Sequence, residues 1–208
     1  MLILKNYRKT YAGKLVLHAD SLQIPDGLIW IKGVNGSGKS TILKSMAGII
    51  PFEGDILLNG ISLKKDPVLI RRKVTYAEAE PFYPEMLTAR EIIEFVASVR
   101  GESEKNTREM IHYFGVDAFY KQACGGYSTG MLKKMALIMA FLGDPDLILL
   151  DEPFAFIDDE TEKKLAGLVR RFKNLSKTLL ITSHHEMPMD DVSFDWVYRI
   201  RDHHLQRD

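Results

Sequence analysis

Apolar residues occupy short bursts at positions 2–4, 15–17 and 28–32, separated by Gly, Pro, Asp and Asn, and this spacing predicts strands early in the chain. A helix is expected over 39–47. Residues 55–63 alternate around Asn59-Gly60, a dipeptide that supplies the positive φ angles of a tight hairpin, so an antiparallel ribbon is expected there. From Thr88 the period changes. Thr88 and Glu91 have capping-box spacing, and Ile92, Ile93, Phe95, Val96 and Val99 recur at helical intervals, so residues 88–124 read as a helical lobe. Beyond it, 147–150 and 178–182 read as buried parallel strands, with Leu165, Leu168, Val169 and Phe172 forming one face of the helix between them. Alternation of strand and helix favours an α/β core. The pattern contains no repeat, low-complexity tract or long linker.

Composition narrows the possibilities. With 208 residues and 46% apolar content, the chain is sized for one domain, or one domain with a lobe. Lys plus Arg and Asp plus Glu number 28 each, so no overall field attracts nucleic acid or anionic lipid, and phosphate specificity must come from a site. The single Cys124 excludes an internal disulfide and zinc-ligand spacing, which points to a reducing, cytoplasmic setting. The longest nearly unbroken apolar run, 135–142, is far short of the roughly 20 residues a membrane helix needs. Any membrane role is therefore expected to come through a partner. The first nine residues lack a signal-peptide cleavage pattern, so secretion is not expected.

Gly33 to Ser40 read Gly-Val-Asn-Gly-Ser-Gly-Lys-Ser, between an apolar strand and a helix. Glycines at this spacing let successive backbone N–H groups turn inward onto phosphate oxygens, and the helix N-terminus adds partial positive charge. Asn35, Gly36, Ser37, Gly38, Lys39, Ser40 and Thr41 form the expected cradle for ATP. Within it Lys39 would hold the β and γ phosphates, and Ser40 would offer its hydroxyl to Mg²⁺. Downstream, Leu147-Ile148-Leu149-Leu150 ends in Asp151-Glu152. Carboxylates seldom follow four apolar residues without a reason. In enzymes with such a loop, one acid here holds Mg²⁺ and a second deprotonates the attacking water, which assigns Asp151 to metal and Glu152 to general base.

Between these sites Tyr127-Ser128-Thr129-Gly130-Met131 opens a helical run and resembles the signature motif of ABC ATPases, normally Leu-Ser-Gly-Gly-Gln. The resemblance covers nearly the whole chain, and its motifs stand in the family's order. It implies a P-loop NTPase core with an N-terminal antiparallel β subdomain and an inserted helical lobe. This is one domain, with core segments at about 1–87 and 125–208 and the lobe at about 88–124. By that likeness Tyr11 stacks on adenine, Asp158 is the aspartate of the loop before the next helix, and His184 contacts the γ-phosphate. The resemblance also implies head-to-tail pairing with a second ATP-binding subunit, as a homodimer or heterodimer, so that Ser128 and Gly130 reach the nucleotide of the opposite chain. Alternative roles stay open for single residues. Tyr11 also suits a strand edge, His185 competes with His184, and Ser128 would serve as a plain N-cap.

Three departures from the family pattern stand out. Ala79 occupies the place of a metal-touching Gln, with Glu80, ahead of Glu78, as the candidate substitute and water as the alternative. Thr129 replaces the first signature glycine. The run Phe154-Ala155-Phe156-Ile157 is unusually apolar for its place before Asp158. The loop over 80–86 carries Pro81 and Pro84 and is expected to expose Phe82, Tyr83 and Met86 as a docking surface. The expected function is an ATP-hydrolysing subunit, peripheral on the cytoplasmic face of the membrane, driving a separate membrane-spanning permease, with no nucleic-acid partner. The competing readings are a nucleotide-gated interaction module, a soluble non-transport ABC ATPase, and a small-molecule kinase, the last disfavoured by Glu152 and the signature.

Overall fold

The computed structural model describes residues 1–185, 187 and 192–208. Its elements run β1 (Leu2–Tyr11), β2 (Lys14–Ile24), β3 (Leu28–Lys32), α1 (Lys39–Met46), β4 (Glu53–Leu58), β5 (Ile61–Ser62), α2 (Pro67–Lys73) and β6 (Val74–Ala77). They continue with α3 (Ala89–Arg100), α4 (Glu104–Tyr113), α5 (Thr129–Ala140), β7 (Leu147–Asp151), α6 (Asp159–Asn174), β8 (Thr178–Ser183), β9 (Trp196–Arg201) and β10 (His204–Arg207). Two sheets result. One is antiparallel, in the order β2-β1-β4-β5. The other has the order β10-β9-β3-β8-β7-β6, parallel from β9 to β6 with β10 antiparallel at its edge.

β7 explains how the two layers meet. All five of its residues are buried, and side chains alternate across a strand, so Ile148 and Leu150 enter one core cluster while Leu147 and Leu149 enter the other. The first cluster joins the sheet to α3, α5 and α6. The second joins it to α1 and the antiparallel sheet. Such two-sided burial is what turned an unbroken apolar run into a central parallel strand.

Several expected elements differ in extent. The first two strands are far longer than the bursts at 2–4 and 15–17, because Lys5, Arg8 and Lys14 face outward while Tyr7, Lys9 and Leu17 stay buried. Asn59 (φ 50°) and Gly60 (φ 82°) form the β4–β5 turn as expected. In α3 the capping box of Thr88 and Glu91 is present, but the buried seam is Ala89, Ile93 and Ala97, whereas Phe95 and Val99 are exposed. The i, i+4, i+8 stripe of small and β-branched residues packs closely, leaving the larger side chains outside. α2, β9 and β10 lacked a clear pattern in the sequence. Among the described residues, no helix is long and apolar enough to cross a membrane.

Candidate functional site

The parallel strands end at one edge, and the loops leaving β3, β7 and β8 meet there. Beyond β3 the chain curls through Gly36 (φ 77°) and Gly38 (φ 106°) into α1. Gly38 has two reasons to lack a side chain, since its φ is left-handed and a Cβ would stand 3.0 Å from Leu17 Cδ1 and 3.1 Å from Val16 Cγ1. As the N-cap it makes no side-chain capping bond, so the first N–H groups of α1 remain free for an anion. Lys39 is buried, and its Nζ donates to the carbonyls of Gly33 (2.7 Å) and Val34 (3.2 Å) while standing 3.3 Å from Glu152 Oε1.

At the end of β7 the two acids face different surroundings. Asp151 is fully buried, and its oxygens accept from Thr182 Oγ1 (2.6 Å) and the Tyr76 hydroxyl (3.1 Å). Burial, with the Asp151 charge second, pushes the Tyr76 hydroxyl far up from its ordinary value, so it is a firm donor. Thr182 Oγ1 also accepts the Glu152 N–H at 3.0 Å, one hydroxyl thereby holding both acids. Glu152 itself has φ 45°, a conformation that costs free energy in a non-glycine residue and re-aims the carboxylate at the loop edge. Its Oε2 lies 2.7 Å from His184 Nδ1. A carboxylate only accepts, so Nδ1 carries the proton in this contact, and the imidazole is oriented by Glu152.

These groups border a cavity of about 590 Å³. Tyr11, Asn35, Gly36, Gly38, Lys39, Ser40, Thr41, Glu152 and His184 all line it, together with Ala79, Glu80 and Phe156. His185 is not part of this wall, although its ring lies against that of His184 in a tilted contact with centroids 3.9 Å apart. Lys9 Nζ sits 4.4 Å from the centroid of the Tyr11 ring. Ser37, Ser128, Gly130, Asp151 and Asp158 stand outside the wall. Ser128 caps α5 by accepting from Met131 N at 3.3 Å, and Thr129 beside it is exposed. Gly130 allows close approach by the 154–157 run, since a Cβ there would stand 3.1 Å from the Phe156 carbonyl oxygen. In that run Phe154 and Ile157 pack on the core, while Phe156 is exposed. Asp158 caps α6, pairs with Lys134 at 3.0 Å, and is held well below the usual carboxylate range by hydrogen bonding from Thr161 and then by Lys134.

The two glutamates near Ala79 are separated by their partners. Glu78 is ion-paired with Lys44 of α1, whereas Glu80 reaches the cavity wall. The expected loop exposure needs one correction: Phe82 and Met86 are exposed, but Tyr83 is half-buried against the core. Proline breaks the regular structure, yet an aromatic ring at the lobe boundary gains more by packing inward than by facing water.

The donor set suits Mg²⁺ held largely by phosphate and water, because the protein offers the Ser40 hydroxyl and one carboxylate layer rather than a cage. Among the described residues no group of three His, Cys, Asp or Glu side chains converges.

Three contributors were missed by sequence reasoning. Tyr76 and Thr182 orient Asp151, and Lys133, with no exposed surface, donates to the carbonyls of Glu78 (3.0 Å), Ala79 (3.0 Å) and Asp151 (3.1 Å). Burial draws the Lys133 ammonium down to about 8, against the upward pull of Asp151, Glu152, Glu78 and Glu80. Its signal was available, since Lys133 precedes Ala136 and Leu137 by one helical turn and so falls on the buried stripe.

Residues 17–155 match the family model described as ABC transporter. The chain is 28% identical over 201 residues to the linearmycin resistance ATP-binding protein LnrL of Bacillus subtilis, an alignment covering 93% of this chain. It spans 63% of that relative's length. A solved ATP-binding subunit of an ABC transporter superposes with a TM-score of 0.86 at 25% identity, covering 98% of this chain and 87% of the other. A dimeric ATP-binding cassette in a post-hydrolysis state with ADP and Pi shares the fold, with a TM-score of 0.84 at 23% identity over 100% and 98% of the two chains.

Proposed function

The chain belongs to the ABC transporter family as one of its ATP-binding cassettes, and from that premise we propose that it hydrolyses Mg·ATP in the 590 Å³ cavity to drive a separate membrane-spanning permease. The observation that carries the reading is the convergence of three groups from distant parts of the chain. Lys39 lies 3.3 Å and His184 2.7 Å from the two oxygens of Glu152, beside a helix start with free N–H groups. The loop amides and Lys39 bind the β and γ phosphates. Tyr11 supports the adenine. Glu152 accepts the proton of the attacking water, and His184, oriented through Nδ1, presents Nε2 to the γ-phosphate. Ser40 and, through water, Asp151 would hold Mg²⁺, which neutralises phosphate charge when bound.

Ser128 and Gly130 stand outside this cavity, which supports their use toward the nucleotide of a second cassette. Asp158 would lie at the same junction. The dimeric cassette of the same fold is a precedent for that pairing. In this reading the cassette sits on the cytoplasmic face of the membrane, with Phe82 and Met86 exposed toward the permease.

A non-hydrolysing, nucleotide-gated module is the second reading, motivated by Ala79 in place of the family's Gln. Phosphate release by the purified chain with Mg·ATP separates the two. The ATPase reading expects turnover that needs Mg²⁺ and is lost in Lys39→Ala together with nucleotide affinity, since charge-assisted bonds of about 1.5–3 kcal/mol disappear. Binding without turnover would favour the module. Isolation of the chain from detergent-solubilised membranes should bring a membrane-spanning partner with it, and its absence would count against the transport role.

A further inference from the structure

Three main-chain carbonyls near the cavity accept from one side chain that the proposed chemistry does not use. β6 stops at Ala77, and its pairing with β7 ends at Ala77–Leu150, so the carbonyls of Glu78 and Ala79 have run past the ladder. Buried carbonyls without partners cost free energy comparable to a lost hydrogen bond. Lys133 supplies the missing partners. Its three N–H donors go to Glu78, Ala79 and Asp151, so one ammonium replaces a rung between the ends of β6 and β7.

The helix that carries Lys133 gives this rung a further consequence. Ser128 and Gly130 open α5 about one turn before Lys133, and the bonded segment leads directly into the loop that bears exposed Phe82. Asp151, the third acceptor, precedes Glu152 on the main chain. Any displacement of α5 or of the 78–79 segment is therefore felt at the backbone carbonyl next to Glu152. A hydrophobic residue would fill the same space without transmitting this constraint.

We propose that Lys133 is a positioning residue for hydrolysis, its buried ammonium fixing the Glu78–Ala79 segment and the start of α5 to the Asp151 carbonyl and thereby setting the placement of Glu152. The proposal rests on the ATPase reading. It also suits Ala79: with no Gln side chain to connect the segment to the metal, the connection here runs through the main chain to a lysine.

The test compares wild type, Lys133→Met, Lys133→Gln and Lys133→Arg as full chains, measuring Mg·ATP affinity by equilibrium titration and turnover by phosphate release. Misplacement of a reacting group on the ångström scale costs roughly 10²-fold in rate. Lys133→Met, and Lys133→Gln, whose shorter neutral side chain cannot bond all three carbonyls, are therefore expected to lower kcat by tenfold or more with Kd within about twofold, and Lys133→Arg, which keeps a charged donor, to recover part of the loss. A folded Lys133→Met with wild-type kcat overturns the proposal, as does a change confined to Kd. Should Lys133→Met fail to fold, Lys133→Gln decides, with reduced kcat at unchanged Kd supporting the proposal and wild-type kcat overturning it. A wild type that binds Mg·ATP and releases no phosphate removes the ATPase reading, and this proposal with it. A wild type that turns over while the variants match it overturns the positioning role alone.

Discussion

Replacing Glu152 by Gln should do two opposite things to the site. Lys39 stands 3.3 Å from Glu152 Oε1 with both side chains largely shielded, and Coulomb's law at an effective dielectric of about 20 gives 332/(20 × 3.3), or about 5 kcal/mol of gross attraction. An incoming triphosphate must draw Lys39 away from that partner and then lie beside the remaining carboxylate. Most of the gross figure is returned as solvation and new pairing, which leaves about 1–1.5 kcal/mol working against nucleotide. Glu152→Gln removes this opposition while His184 keeps an oxygen acceptor at the same place. Mg·ATP should therefore bind roughly tenfold more tightly, and phosphate release should fall by roughly 10²-fold or more because an amide cannot take up the proton. Equilibrium titration with Mg·ATP and a phosphate-release assay measure the two quantities on the same preparation. A Kd that is unchanged or larger would refute the competition between Glu152 and phosphate. Turnover near the wild-type rate would refute the assignment of Glu152 as base.

Tyr76→Phe leaves Asp151 Oδ2 without its buried donor and should lower stability by about 1.5–3 kcal/mol in chemical denaturation; a loss under about 0.5 kcal/mol would mean that the hydroxyl is replaceable. Asp158→Ala removes the α6 cap and should cost about 1 kcal/mol. Because the Asp158 carboxyl is held below its ordinary range, that contribution is complete above the unfolded value near 4 and is lost as pH falls through the lower folded value. Thermal melts of wild type and variant should therefore differ equally at pH 7 and pH 5 and converge in stronger acid, and convergence already at pH 5 would contradict the shift. Phe82→Ala should change stability by no more than about 0.5 kcal/mol, since the side chain is exposed, while weakening co-isolation with the membrane partner; an unchanged yield of partner would remove the docking role.

Local order was readable where one short-range interaction dominates. The Thr88 capping box, the Asn59-Gly60 turn and the phosphate loop each depend on residues within a few positions, and the structure places them as their spacing implies. Strand lengths were less legible, because β1 and β2 owe their extent to antiparallel pairing with each other, from Leu2–Ile24 to Tyr11–Lys14, rather than to an apolar run of their own. The inward turn of Tyr83 and the outward face of Phe95 likewise depended on which helix stripe the α5 and β6 layer would cover.

By itself, the sequence determined the chemistry on offer: a glycine-rich loop with Lys39, an apolar strand ending in Asp151-Glu152, a signature-like helix start at Ser128 and a histidine after β8. Motif spacing specifies these because backbone geometry within a loop or helix cap is local. Only the tertiary structure decided how those groups act on one another. It set Lys39 and His184 against the two oxygens of one carboxylate, gave Asp151 the hydroxyls of Tyr76 and Thr182, sent Glu78 to Lys44 while Glu80 reached the cavity, and buried Lys133 among three carbonyls. Each of these depends on parallel strands distant in sequence ending side by side, and no local pattern encodes where a strand end finds the next one.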